Sequence, residues 1–154
     1  MVKVPRAGPV IRNRKARYRF EILETVEAGI VLTGSEVKSL RDGKASLDEA
    51  FAVIREDEVF LRDCHIAPYP MAGYAQHVPT RPRKLLLHRR QIRKWANRVK
   101  ERGLTLVPLS LYFSERGIAK VELALARGKT HEDKRAELKK RELEREIDRA
   151  MKRR

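Results

Sequence analysis

Leu104-Thr-Leu-Val-Pro-Leu-Ser-Leu-Tyr-Phe113, Ser114-Glu-Arg-Gly117 and Ile118-Ala-Lys-Val-Glu-Leu-Ala-Leu-Ala126 follow one another without a break. Two long apolar runs joined by a short turn ending on glycine predict a pair of long strands. Upstream, Ile92, Trp95, Ala96 and Val99 fall at i, i+3, i+4 and i+7, the stripe of a helix over 88–102, and Gly103 is its natural stop. Further upstream, Phe51–Ile54 and Val59–Leu61 flank the acidic turn Glu56-Asp57-Glu58 and predict a second strand pair. Tyr18, Phe20 and Ile22 alternate with polar residues and predict a strand, and beyond Gly29 the run Ile30-Val31-Leu32 predicts another. Ser35 is placed to cap a short helix with Val37 and Leu40 inward, ended by Gly43. Residues 64–82 hold Pro68, Pro70, Gly73, Pro79 and Pro82 and read as one long connection.

Short antiparallel strands with two small helices predict a mainly β fold, an antiparallel barrel of the oligonucleotide-binding (OB) type. Three parts are expected: a flexible basic arm over 1–12, the OB-like barrel over 13–127, and a basic tail over 128–154. In the tail Leu143, Ile147 and Met151 recur at i+4, and Glu137–Arg141 and Asp148–Lys152 are favourable pairs. An isolated helix of that length is marginal in water, so the tail is expected to be disordered when free and helical when bound.

The charge is concentrated. The chain of 154 residues carries a formal +15. Residues 1–19 contribute +7, residues 81–102 contribute +9 and the tail contributes +4, leaving −5 elsewhere. An ordinary acidic domain with three basic segments is what a polyanion-binding protein needs, because cations that neutralise phosphates release condensed counterions. Aromatic residues are only 6%. Weak stacking capacity beside strong basicity favours structured RNA read by shape and backbone.

Other chemistries fare poorly. No run reaches the ~18 apolar residues of a membrane span, and the N-terminus lacks the apolar core of a signal peptide. The single Cys64 forms no internal disulfide, reads as a buried core residue and suits a reducing cytosol. His65, His77, His88 and His131 are scattered without metal-ligand spacing, so neither a metal nor another cofactor is expected. Ala126-Arg-Gly-Lys-Thr130 resembles the end of a phosphate-binding loop, but the first glycine of that motif would fall at Leu123, inside a strand. No acid, base and nucleophile assemble, and a binding protein with no enzymatic activity is the reading.

Several segments taken in order carry a family resemblance: Asn13-Arg-Lys-Ala16 leading into Tyr18, Glu27-Ala-Gly29, Gly34-Ser-Glu-Val-Lys-Ser-Leu-Arg41 and Arg83-Lys-Leu-Leu-Leu-His88. With Val107-Pro-Leu-Ser-Leu-Tyr112, Ala119-Lys-Val121, Ala126-Arg-Gly-Lys129 and Asp133-Lys-Arg135, they resemble the SsrA-binding protein (small protein B, SmpB) family from about residue 11 to the C-terminus. The resemblance implies an OB-type barrel that binds the tRNA-like domain of transfer-messenger RNA. It implies delivery of that RNA to stalled bacterial ribosomes for trans-translation. The partners implied are the decoding centre and messenger channel of the ribosome, alanyl-tRNA synthetase and elongation factor Tu, in the cytoplasm and away from membranes.

By the same resemblance Asn13, Glu27, Leu86, His88 and Lys120 match positions in or near the RNA-binding surface, and the basic residues Arg14, Lys15, Lys38, Arg83 and Lys84 are placed with them. Gly128, Lys129, Asp133, Lys134 and Arg135 match the tail motif of the decoding centre. Glu132 stands where the family has His or Tyr, so His131 is expected to supply the ring. Two alternatives stay open: a ribosomal protein or other OB-type translation factor, and a metal-dependent nuclease using Glu27, Glu36 or Asp42.

Overall fold

The computed structural model describes residues 8–152, and of Arg102 and His131 it describes the backbone alone. Residues 1–7 of the expected arm and 153–154 of the tail lie outside the described residues. In chain order the elements are β1 (Ile11–Arg12), α1 (Ala16–Arg19), β2 (Phe20–Ile30), α2 (Gly34–Arg41), β3 (Ala45–Ser46), β4 (Phe51–Arg55) and β5 (Glu58–Arg62). Then come β6 (His65–Ile66), a 3-10 turn at Gly73–Ala75, β7 (Arg83–Leu86), α3 (Arg89–Arg102), β8 (Thr105–Phe113), β9 (Ala119–Gly128) and α4 (His131–Lys152).

The hairpin β8–β9 is the backbone of the molecule. Leu123 and Leu125 point into the main core, whereas Ala124 and Ala126 pack in a second cluster with Ala16, Val107 and Leu109. With both faces covered, the strand reads as a continuous apolar run instead of an alternation. Around it the strands run β8-β4-β5-β7-β2-β9, every pair antiparallel, and β9 returns to β8. The sheet thus closes into a near-barrel ring. Leu61, Leu85, Leu111 and Val121 fill it, with Ile92 and Trp95 from α3 and Leu40 from α2 in the same core. The register slips between Pro108 and Ser110, where proline offers no N–H to the ladder.

Several expectations change. Ile11 and Arg12, the end of the expected arm, pair with Leu111 and Ser110 beside β4 on the same edge of β8. Tyr18 belongs to α1, and β2 runs unbroken through Gly29. The cap of α2 is Thr33, whose N–H donates to Glu36 Oε1 at 2.8 Å, while Ser35 Oγ instead meets His77 Nδ1 at 2.8 Å. The connection over 64–82 is partly ordered, because β6 pairs with β3 and His77 is buried with Nε2 on the Ile66 carbonyl at 2.9 Å.

The largest correction concerns class. With a 14-residue α3 and a 22-residue α4, the architecture is mixed α/β, not mainly β. The tail, expected to be helical when bound, is a continuous helix from His131 to Lys152. Its start is capped reciprocally, Thr130 N donating to Asp133 Oδ2 and Asp133 N to Thr130 Oγ1, both at 3.2 Å. Lys129 ion-pairs with Glu137, which also holds Arg141 at 3.0 Å. Lys134 Nζ lies 5.5 Å from the centre of the Tyr18 ring. No helix among the described residues is long and apolar enough to cross a membrane.

Candidate nucleic-acid interface

Antiparallel partners present their side chains on the same face of a sheet, so register alone builds the site. Gly29 of β2 pairs with Leu86 of β7 on one side and with Lys120 of β9 on the other, and Lys120 pairs with Tyr112 of β8. Two residues along, Glu27 pairs with Glu122, Glu122 with Ser110, and Ser110 with Arg12. These two rows form one outer face of the ring. They bring together Glu27, Leu86 and Lys120, three residues far apart in sequence.

Each position has a physical reason. Leu86 is about half exposed at 52%, although it sits in a strand beside buried Leu85. Its Cβ is 3.2 Å from where a Cβ on Gly29 would stand, so the glycine lets Leu86 lie across β2. Glu27 is exposed, and the buried Tyr112 hydroxyl donates to its Oε2 at 2.5 Å. This leaves Oε1 available to accept from a base edge or ribose hydroxyl. Lys120 is half-buried within the first row. His88, two residues past Leu86, is the exposed N-cap of α3, with its N–H donated to Gln91 Oε1 at 3.3 Å.

The other expected residues lie around this face or away from it. Asn13 follows Arg12 and donates from Nδ2 to the Pro108 carbonyl at 2.9 Å, so it satisfies the bulge of β8; Arg14 and Lys15 beside it are exposed. Lys84 is on the same side of β7 as Leu86 and pairs with Glu58 at 3.2 Å. Lys38 is exposed on α2, its Nζ 5.5 Å from the centre of the Tyr69 ring.

Arg83 is a correction. Its side chain is wholly buried: Nε bonds Glu36 Oε2, Nη1 donates to the Cys64 carbonyl at 2.7 Å, and Nη2 to the Pro79 carbonyl at 3.1 Å. It cannot touch RNA. Arg81 adds a 2.6 Å bond to Glu36 Oε1. Burial alone would raise the Glu36 carboxyl, but bonds from Arg81, the Thr33 N–H and Arg83 outweigh it and hold it at about 2. Burial lifts the Cys64 thiol to about 11, consistent with an inert core cysteine.

Glu36 is therefore no metal ligand. Glu27 lies on the outer face of β2 and Asp42 at the C-terminal end of α2, so the nuclease alternative finds no assembled site among the described residues.

At the tail root, Gly128 closes β9 opposite Phe20. Lys129 donates its N–H to the Arg19 carbonyl at 2.9 Å and its Nζ to the Arg17 carbonyl at 2.7 Å. Asp133 is the cap described above, with its carboxyl held below the usual range by the Thr130 backbone and side chain. Lys134 lies over Tyr18 and Arg135 is exposed. The ring expected of His131 lies outside what is described; its backbone opens α4.

Sequence reasoning missed Tyr112 as the partner of Glu27 and the Glu36–Arg81–Arg83 cluster. Neither has a local signal, since the partners are separated by 85, 45 and 47 residues.

The family model described as SmpB protein matches residues 10–153. An SsrA-binding protein of Myxococcus xanthus is 53% identical over 150 residues, covering 97% of this chain and 92% of its own. One from Chloroflexus aurantiacus is 56% identical over 147 residues, covering 95% and 91%. A solved chain described as "tmRNA-SmpB: a journey to the center of the bacterial ribosome" is similar with a TM-score of 0.68 and 52% identity, covering 83% of this chain and 93% of that one.

Proposed function

Because the chain belongs to the SmpB protein family, the non-enzymatic SsrA-binding proteins of bacterial trans-translation, we propose that its outer β face holds the tRNA-like domain of transfer-messenger RNA. The observation that carries this is the row Leu86–Gly29–Lys120 with Glu27 held beside it by Tyr112. One surface there offers an apolar side chain for an unstacked base, a cation for phosphate and a carboxylate for a base edge or 2′-hydroxyl, the mixture that RNA recognition uses. Asn13, Arg14, Lys15, Lys38, Lys84 and His88 flank or extend it. The near-closed ring is of the OB type, and its work is done in the cytoplasm.

The tail has a separate task. Gly128, Lys129, His131, Asp133, Lys134 and Arg135 engage the decoding centre of the ribosome, and the rest of α4 occupies the empty messenger channel. A tail that is disordered in the free chain would take up this helix on binding. Alanyl-tRNA synthetase and elongation factor Tu act on the same RNA.

The test is a competition between the tRNA-like domain of transfer-messenger RNA and ordinary tRNA at about 0.15 M salt. Clear preference for the former supports the reading, and equal weak binding overturns it in favour of a general ribosomal RNA binder. Removal of residues 128–154 should leave this binding largely intact and abolish ribosome rescue.

A further inference from the structure

Four cations on α3 make no ion pair with a described residue, whereas several elsewhere do. Lys84 has Glu58, Arg127 has Glu21, Arg19 has Glu49 and Arg141 has Glu137. On α3 itself, Glu24 gathers Arg98 at 2.5 Å, Lys94 at 3.7 Å and the Trp95 indole at 2.9 Å. The bond from Trp95 outweighs partial burial and, with Lys94 and Arg98, holds the Glu24 carboxyl below its usual range. Arg89, Arg90, Arg93 and Lys100 are exposed and make no ion pair with any described residue.

Their placement costs stability. At about 100° per residue they fall, with Asn97, within roughly 100° of one helix face. Arg89 and Arg93 are like charges at i, i+4, a destabilising spacing. Arg89 and Arg90 also occupy the first turn, which holds no acid, where the helix dipole disfavours cations. Neither penalty is offset by an ion pair with a described residue.

We infer that this ridge of α3 is a phosphate-backbone contact for the same transfer-messenger RNA, continuing the β face. Only Leu87 and His88 separate Leu86 from Arg89, so a strand of RNA leaving the β face meets the helix directly. From Arg89 to Lys100 the ridge runs about 16 Å, roughly half a turn of duplex. The contact reads charge, not sequence, because the ridge offers guanidinium and ammonium groups without an aromatic ring between them. It rests on the RNA-binding reading above and extends the footprint beyond the residues placed there.

The experiment compares wild type with the triple variant Arg89→Gln, Arg93→Gln, Lys100→Gln. It measures binding to the tRNA-like domain between roughly 0.05 and 0.2 M salt. Each lost phosphate contact lowers the log–log salt slope by about 0.7 to 0.9, so the triple variant should lose about two units and bind at least roughly tenfold more weakly at physiological salt. Its unfolding midpoint should hold or rise, since like-charge repulsion is removed, which excludes misfolding. Arg127→Gln, which removes a cation paired with Glu21, serves as the control and should keep the wild-type slope. An unchanged slope in the triple variant, or the same loss in the control, overturns the α3 contact. Normal RNA binding with weakened ribosome association overturns it as well and assigns the ridge to the ribosome. Failure of wild type to prefer the tRNA-like domain instead sinks the underlying reading.

Discussion

Arg83 and Glu36 form an ion pair with both side chains wholly buried, joining β7 to α2. Removing one partner strands the other charge away from water, at a cost of about 3–5 kcal/mol. Glu36→Ala should therefore lower stability by that order in urea unfolding, and Arg83→Ala similarly. If Arg83 were instead an RNA contact, Arg83→Ala would weaken binding with an unchanged unfolding midpoint.

The same pair sets a pH response. The Glu36 carboxyl is depressed in the fold from 4.5 to about 2, so its stabilisation is fully present above pH 4.5 and is lost as pH falls toward 2. Unfolding free energy measured down this range should fall more steeply in wild type than in Glu36→Gln. Parallel curves would mean that the carboxylate is not held by its arginines.

Gly29 and Leu86 should separate binding from folding. Leu86→Ala removes a half-exposed side chain, so stability should fall by less than about 1 kcal/mol while affinity for the tRNA-like domain drops severalfold. Gly29→Ala places a methyl 3.2 Å from Leu86 Cβ and should weaken binding by displacing it. Isothermal titration with thermal unfolding reads both effects, and equal losses in each would make Leu86 a packing residue only.

Tyr112 positions Glu27. Tyr112→Phe removes the hydroxyl that fixes Glu27 Oε2 and should cost about 0.5–1.5 kcal/mol of stability. Its loss of RNA affinity should not add to that of Glu27→Gln in a double-mutant cycle, because both break the same arrangement. Full additivity would show that Tyr112 does not position Glu27 for the contact.

The root of α4 depends on its cap. Thr130→Ala should lower tail helicity, costing the cap about 1 kcal/mol. Because the Asp133 carboxyl is depressed, its share of that cap is present above the ordinary carboxylate range and lost on acidification. Hydrogen exchange over residues 131–140 reports both changes, and unaltered protection in Thr130→Ala would show that the cap does not hold the helix.

Local pattern made much of this legible. The hairpin β8–β9, the strand pair β4–β5 and the helix α3 follow from apolar spacing, because backbone periodicity is a short-range property. The basic segments and the motif residues likewise need no coordinates. The tail is a different case: its apolar spacing and Glu137–Arg141 pair were readable, yet Lys129–Glu137 and Lys134–Tyr18 bind the helix root to itself and to α1.

Arg83-Lys-Leu-Leu86 marks the limit of such reading. A strand sends alternate residues to opposite faces, so Arg83 travels with Leu85 and Lys84 with Leu86. Composition gives the charge and the apolar run here but contains nothing to say that a strand forms, or that an arginine goes inward while a leucine goes out. That choice was made by Glu36, 47 residues away, which offers a buried carboxylate to Arg83, and by Gly29, which leaves room on the outer face for Leu86. Periodicity is local, whereas the partner of a buried charge and the space beside a glycine exist only once the strands have met.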